Sequence, residues 1–155
     1  MTRVNVLDHI AVTVSDLNRS LAFYRDLLGL KEVERHHLEG ETISKMAAKS
    51  GVVLDVVRLC APDTPRVLID LQQYHAPKGK VSTAQLGDAA HSHFCFGVPD
   101  VWAAYRDLSA KGVEFISEPV TFELESGTLH VVWMKDPDGF ILELVTSAGE
   151  SSAHH

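Results

Sequence analysis

The chain has 155 residues, 45% of them hydrophobic, and a formal net charge of -7, which is the size of one ordinary domain able to bury its own core. No apolar run approaches the roughly 18 residues of a membrane span and the N-terminal MTRVNVLDH carries no apolar signal segment, so a cytoplasmic protein is expected. An acidic balance with no basic block argues against nucleic acid or an anionic membrane as partner, and two distant cysteines, Cys60 and Cys95, suggest buried thiols rather than a disulfide framework or a thiolate zinc site.

The first predicted element is a strand over residues 9–16, HIAVTVSD, ending in an aspartate placed to cap a helix. After Asp16, Leu17, Leu21, Tyr24 and Leu28 recur at spacings of 4, 3 and 4, which is one apolar helical stripe, and Gly29 marks its end. Residues 54–71, LDVVRLCAPDTPRVLIDL, read as strand, tight turn and strand, because Pro followed by Asp suits a sharp reversal. Residues from about 75 to 91, rich in Gly, Pro, Ser and Ala, read as a linker.

The same order of parts then returns. Residues 93–100, HFCFGVPD, repeat HIAVTVSD at a constant offset of 84 (93 minus 9, and 100 minus 16). Val101, Tyr105 and Leu108 form the second helical stripe, both helices contain YRDL, and Gly112 ends the second. Residues 129–145, LHVVWMKDPDGFILELV, lie over 54–71, with two extra residues in the first copy between the matched Leu54 and Leu129 and the matched Asp70 and Glu143. Two modules follow, about 4–74 and 92–146, each a strand, a helix and two or three strands. A tail over 147–155 ends in SSAHH, which looks like the stub of an affinity tag and removes His154 and His155 from the chemistry.

Strand alternation gives the repeat a chemical meaning. Ile10, Val12 and Val14 face one way and His9, Ala11 and Thr13 the other; in the repeat Phe94, Phe96 and Val98 oppose His93, Cys95 and Gly97. Each histidine thus shares a face with small side chains that leave room for a ligand. In the closing strands the same rule puts Asp70 on a face with Leu68, Gln72 and Tyr74, and Glu143 with Ile141 and Val145. A single strand histidine is usually an ordinary half-exposed residue. Duplication changes that expectation, because two histidines and two carboxylates at repeat-equivalent positions form a candidate metal set of His9, Asp70, His93 and Glu143, with Gln72 as the alternative to Asp70. Imidazole and carboxylate donors suit zinc, nickel, cobalt, manganese or ferrous iron. His36, His37, His75 and His91 fall in polar stretches and are expected to be solvated.

These stretches, chiefly DHIAVTVSDLNRSLAFYRDLLGL and DPDGFILELV, resemble the vicinal oxygen chelate superfamily, which includes glyoxalase I, methylmalonyl-CoA epimerase, extradiol dioxygenases and bleomycin and fosfomycin resistance proteins. The resemblance implies an α+β fold of two βαβββ modules whose eight strands form a curled mixed sheet with the helices outside. It implies His9 and Asp70 as the first module's metal ligands and His93 and Glu143 as the second's. Most glyoxalase I enzymes carry glutamate at the position of Asp70 and epimerases often glutamine, so aspartate departs from both.

The implied function is a metal-dependent lyase, isomerase or epimerase that stabilises an enolate or enediolate of a small carbonyl or thioester substrate, working as a homodimer. Glu143 is the expected base as well as a ligand, with the repeat-equivalent Asp55 and His130 as second candidates if their strand face points into the cleft. Ala11, Thr13, Tyr74, Cys95 and Gly97 are expected to line the substrate site. Two other readings stay open: a non-haem iron dioxygenase using His9, His93 and Glu143, and a binding protein that sequesters a drug or metabolite without turnover.

Overall fold

The computed structural model describes residues 4–148. The chain divides into two compact units, Met1–Ser82 and Thr83–His155. Each carries a four-stranded mixed sheet, and the topology is that of two βαβββ modules.

In the first unit, β1 (His9–Thr13) runs parallel to β4 (Thr64–Ala76), which pairs antiparallel with β3 (Val53–Ala61), and β3 with the outer strand β2 (Lys31–Glu39). Asp16 caps helix α1 (Leu17–Leu21) by accepting the Arg19 N–H at 2.9 Å. The helix continues as a wider π-helical segment over Ala22–Leu27 and stops at Gly29, whose φ of +80° is a conformation that side chains with a Cβ rarely adopt. The Pro62-Asp63 reversal joins β3 to β4, with Ala61 opposite Thr64. A short helix α2 (Glu41–Met46), absent from the sequence reading, lies between β2 and β3.

The second unit repeats the plan with β5 (Phe94–Gly97), helix α3 (Val101–Ala110), β6 (Val120–Leu124), β7 (Gly127–Lys135) and β8 (Ile141–Ala148). Asp100 caps α3 through the Ala103 N–H at 3.0 Å, and Gly112 with φ +86° follows its last turn. In the β7–β8 turn the buried Asp136 carboxylate accepts the N–H groups of Asp138 and Phe140 at 2.9 and 2.8 Å, which holds the Asp-Pro-Asp-Gly loop in one shape.

Two boundaries shift. β4 extends to Ala76, beyond the expected end at 74, because Val53 supplies a pairing partner there; β8 extends to Ala148, opposite Thr128. Residues 149–155, including the suspected tag remnant, lie outside the described residues.

Each sheet has a core face and a second face. In the first unit Val12, Val57, Leu59, Ile69 and Leu71 are all buried and share one face by strand parity. Helix α1 covers it, tied down where the Leu17 N–H donates to the Gln73 side-chain carbonyl at 2.8 Å. In the second unit Val132, Met134, Leu142 and Leu144 form the corresponding face under α3. The other faces carry the histidine and carboxylate candidates. Helix α2 lies over one end of the first unit's second face, where Ile43 packs with Val52, Leu54, Val56 and the half-buried Tyr74. Among the described residues no helix is long and apolar enough to cross a membrane.

Candidate functional site

The register of the parallel pairs determines what stands beside each carboxylate. In the first unit Ala11 on β1 and Arg58 on β3 flank Asp70; in the second Cys95 on β5 and Trp133 on β7 flank Glu143. These trios occupy equivalent positions of the repeat and differ at every corner, Ala11 against Cys95 and Asp70 against Glu143; the difference in charge lies at the third, a guanidinium on Asp70 and an indole on Glu143.

His9 Nε2 lies 3.7 Å from Asp70 Oδ2, and His93 Nε2 lies 3.0 Å from Glu143 Oε2. Two donors each about 2.1 Å from an ion, in adjacent octahedral positions, lie about 3.0 Å apart, so the second pair has the spacing of neighbouring ligands. His9 also has the support expected of a ligand. Its Nδ1 lies 2.8 Å from the Asp8 carboxylate, which can only accept, so in the neutral ring the proton sits on Nδ1 and the lone pair on Nε2. The same contact lowers the Asp8 pKa. The His93 ring is also tilted against Trp133, with centroids 5.2 Å apart.

Asp70 is differently committed. Its two oxygens accept from Arg58 Nε and a terminal guanidinium nitrogen, both at 2.8 Å, and its side chain is only 8% exposed. This fork raises the Arg58 pKa further, first through the hydrogen bonds to Asp70 and then through its charge. Glu34 Oε2 stands 3.9 Å from the same guanidinium. Asp70 as it stands therefore does not fit the role of a metal ligand, because both oxygens already face a cation. Gln72, the alternative, shares that face and donates its amide to Thr13 Oγ1 at 2.9 Å, which turns its carbonyl oxygen away from the bond. Glu143 instead accepts from the uncharged Trp133 Nε1 at 2.9 Å, and its side chain is 20% exposed. Among the described residues, neither unit by itself gathers three His, Cys, Asp or Glu side chains into a metal-holding group.

Asp55 and His130 require a correction as second candidates for the base. Asp55 is three residues from Arg58 on β3, and His130 three from Trp133 on β7, so strand parity turns both away from the carboxylates. His130 pairs with Thr121 at 2.9 Å. Cys95 also differs from expectation: only Cys60 is a buried thiol. Although Cys95 is exposed as a residue, partial desolvation of its sulfur and then the neighbouring Glu143 charge push the thiol up to about 12, so it stands as a neutral thiol. Ala11, Thr13 and Gly97 are exposed on the histidine faces, and a Cβ added at Gly97 would meet nothing within 4 Å.

The polar histidines are not simply solvated. His37 on β2 and His75 on β4 both grip the Asp55 carboxylate, at 2.6 and 2.8 Å, stitching three strands together; His36 meets Glu34 at 3.2 Å. Hydrogen bonding to Asp55 raises the His37 pKa, and the bonds from His37 and then His75 lower that of Asp55. A raised histidine stabilises the fold below its ordinary value, about 6.5, and loses that contribution as pH rises through the higher folded value; a lowered carboxylate contributes above its ordinary value, about 3.9, and loses it as pH falls. The clamp is thus strongest between about pH 4 and 6.5. In an NMR titration the His37 ring should show a midpoint above the ordinary histidine value, returning toward it in Asp55→Asn. Identical midpoints in both proteins would show that the contact has no thermodynamic weight.

Sequence reasoning passed over Arg58, Trp133 and Asp8. The signal for the first two was present, since they align in LDVVRL and LHVVWM, but their pairing with the carboxylates depends on the β3–β4 and β7–β8 registers.

Comparison with known proteins agrees with this architecture. The chain is 26% identical over 137 residues to a lactoylglutathione lyase of Arabidopsis thaliana, covering 88% of this chain and 42% of that protein. It is 26% identical over 139 residues to the mitochondrial methylmalonyl-CoA epimerase of Homo sapiens, covering 89% and 72%. The chain thus spans less than half the length of the Arabidopsis relative. A solved glyoxalase family protein from Bacillus cereus shares the fold, with a TM-score of 0.84 at 19% identity over 96% of this chain and 97% of that one. The model of the Glyoxalase/Bleomycin resistance protein/Dioxygenase superfamily matches residues 6–144, from ahead of β1 into β8, and with both repeats inside that match the chain belongs to this superfamily.

Proposed function

We propose that the protein is a metal-dependent lyase or isomerase of the glyoxalase type, acting as a homodimer on a small molecule at a carbon beside a carbonyl. The supporting observation is the His93–Glu143 pair, with its 3.0 Å spacing and a carboxylate oriented by the uncharged Trp133 N–H. Relatives named as a lactoylglutathione lyase and a methylmalonyl-CoA epimerase point to the same chemistry. In this reading His93 and Glu143 are metal ligands, His9 is their counterpart in the first unit, and Gln72 is the neutral donor available there in place of Asp70. A bound zinc, nickel, cobalt, manganese or iron ion would supply Lewis acidity toward the substrate carbonyl.

The remaining work falls to the chain's own side chains. Glu143 takes the proton from the carbon beside the carbonyl and returns it, to the neighbouring carbon in an isomerisation or to the opposite face in an epimerisation. The Trp133 N–H holds that carboxylate in one orientation without neutralising it. Ala11, Thr13, Cys95 and Gly97 leave space for the substrate beside the histidines, with Tyr74 at the α2 end of the face.

One observation favours a second reading. With Asp70 held by Arg58, the remaining candidates are His9, His93 and Glu143, the two-histidine, one-carboxylate donor set of non-haem iron oxygenases.

The test is metal analysis of protein freed of its terminal histidines, together with solvent hydrogen exchange at the α-carbon of 2-hydroxyacetophenone. Bound nickel, cobalt or zinc with catalysed exchange is the expected result. Iron with oxygen consumption would move the assignment to the second reading, and absence of both metal and exchange would sink both.

A further inference from the structure

We propose that Arg58 takes the place of a metal ion at Asp70, so that Asp70 neutralises a built-in cation and any metal is held without it. The inference bears on the metal reading above but does not need it to be correct.

Three observations carry it. The fork is bidentate, each Asp70 oxygen accepting one N–H at 2.8 Å, so both oxygens already share their negative charge with the guanidinium. The pair is also largely withdrawn from water, with side-chain exposures of 8% for Asp70 and 24% for Arg58, where an unpaired carboxylate is strongly disfavoured and a second cation beside the guanidinium would be repelled with little screening. Finally, the repeat provides an internal control. Trp133 occupies the Arg58 position in the second unit and gives Glu143 an uncharged hydrogen bond, at 2.9 Å to Oε2.

The other charged groups around Arg58 fit the same account. Glu34 Oε2 lies 3.9 Å from it, Asp8 acts on it at longer range, and His9 Nε2 lies 3.7 Å from Asp70. Arg58 is a positioning residue here: it acts on metal coordination through Asp70 and touches no reacting atom.

The experiment measures Co2+ affinity and bound metal per chain for the wild type, Asp70→Asn, Arg58→Gln and His93→Ala. Asp70→Asn should bind Co2+ as the wild type does. Arg58→Gln keeps a hydrogen-bond donor but removes the charge, as Trp133 does for Glu143, and should bind Co2+ more tightly by about tenfold or more, since it frees a carboxylate. An Asp70→Asn variant that loses Co2+ as completely as His93→Ala overturns the inference, as does a folded Arg58→Gln variant with unchanged affinity. If either variant fails to fold, the other decides. A wild type that binds no Co2+ counts against the proposed function alone: Arg58→Gln gaining a site would still support the role of Arg58, and no gain would refute it.

Discussion

Replacing Glu143 with glutamine is expected to lower turnover by about 100-fold or more while a measurable share of the metal stays bound. The substitution is nearly isosteric. It keeps a side-chain oxygen that can accept the Trp133 N–H, now 2.9 Å away, so the β7–β8 pairing that presents residue 143 has no reason to change. What it removes is the negative charge and with it the basicity needed to take a proton from carbon. His93→Ala makes the complementary test, because deleting an imidazole donor should take metal and activity away together. The informative measurement is solvent hydrogen exchange at the substrate α-carbon, scored beside metal content. A glutamine variant that exchanges that proton at the wild-type rate would remove Glu143 as the base. Since Asp55 and His130 face the other side of their sheets, the search would then turn to groups outside these strands.

Leu71→Ala should cost about 2–5 kcal/mol of stability, the usual range for emptying a fully buried leucine site. Leu71 has 0% exposure on a central strand, between Val12 on β1 and Val57 on β3, and its face lies under α1. The surrounding strands are held by hydrogen bonds on both edges of β4, so little can move in to fill the space. In urea unfolding the midpoint should fall with the slope nearly unchanged, the signature of lost stability rather than a changed unfolded state. Phe122 offers the contrast. It is 51% exposed on β6, which among the described residues is the outer strand beside β7, and Phe122→Ser should shift stability by no more than about 0.5 kcal/mol. Equal effects at the two positions would mean that the assignment of the core face is wrong.

The sequence by itself determined the duplicated plan, because every signal for it is local. Asp16 and Asp100 cap helices through N–H groups three residues away, Gly29 and Gly112 end those segments with positive φ, and Pro62-Asp63 and the Asp136 loop reverse the chain within a few residues. Alternation along residues 9–14 and 93–98 likewise separated the histidines from the bulky apolar residues before any partner strand was known. The strand β2 was not legible. Its sequence KEVERHHLE carries too many charged and polar residues to show a buried face, which suits an outer strand whose exposed edge resists pairing with other chains. The tertiary structure alone decided what surrounds each carboxylate. Arg58 is 12 residues from Asp70, His37 is 18 from Asp55 and Trp133 is 10 from Glu143, and each contact exists only because strand registers bring those positions opposite or beside one another. A shift of one residue in the β3–β4 register would have turned Arg58 to the other face and left Asp70 without its guanidinium. Register is a property of the assembled sheet, set by the summed burial of the core faces rather than by any residue near the site, and for that reason the chemistry at Asp70 could not be read from the sequence around it.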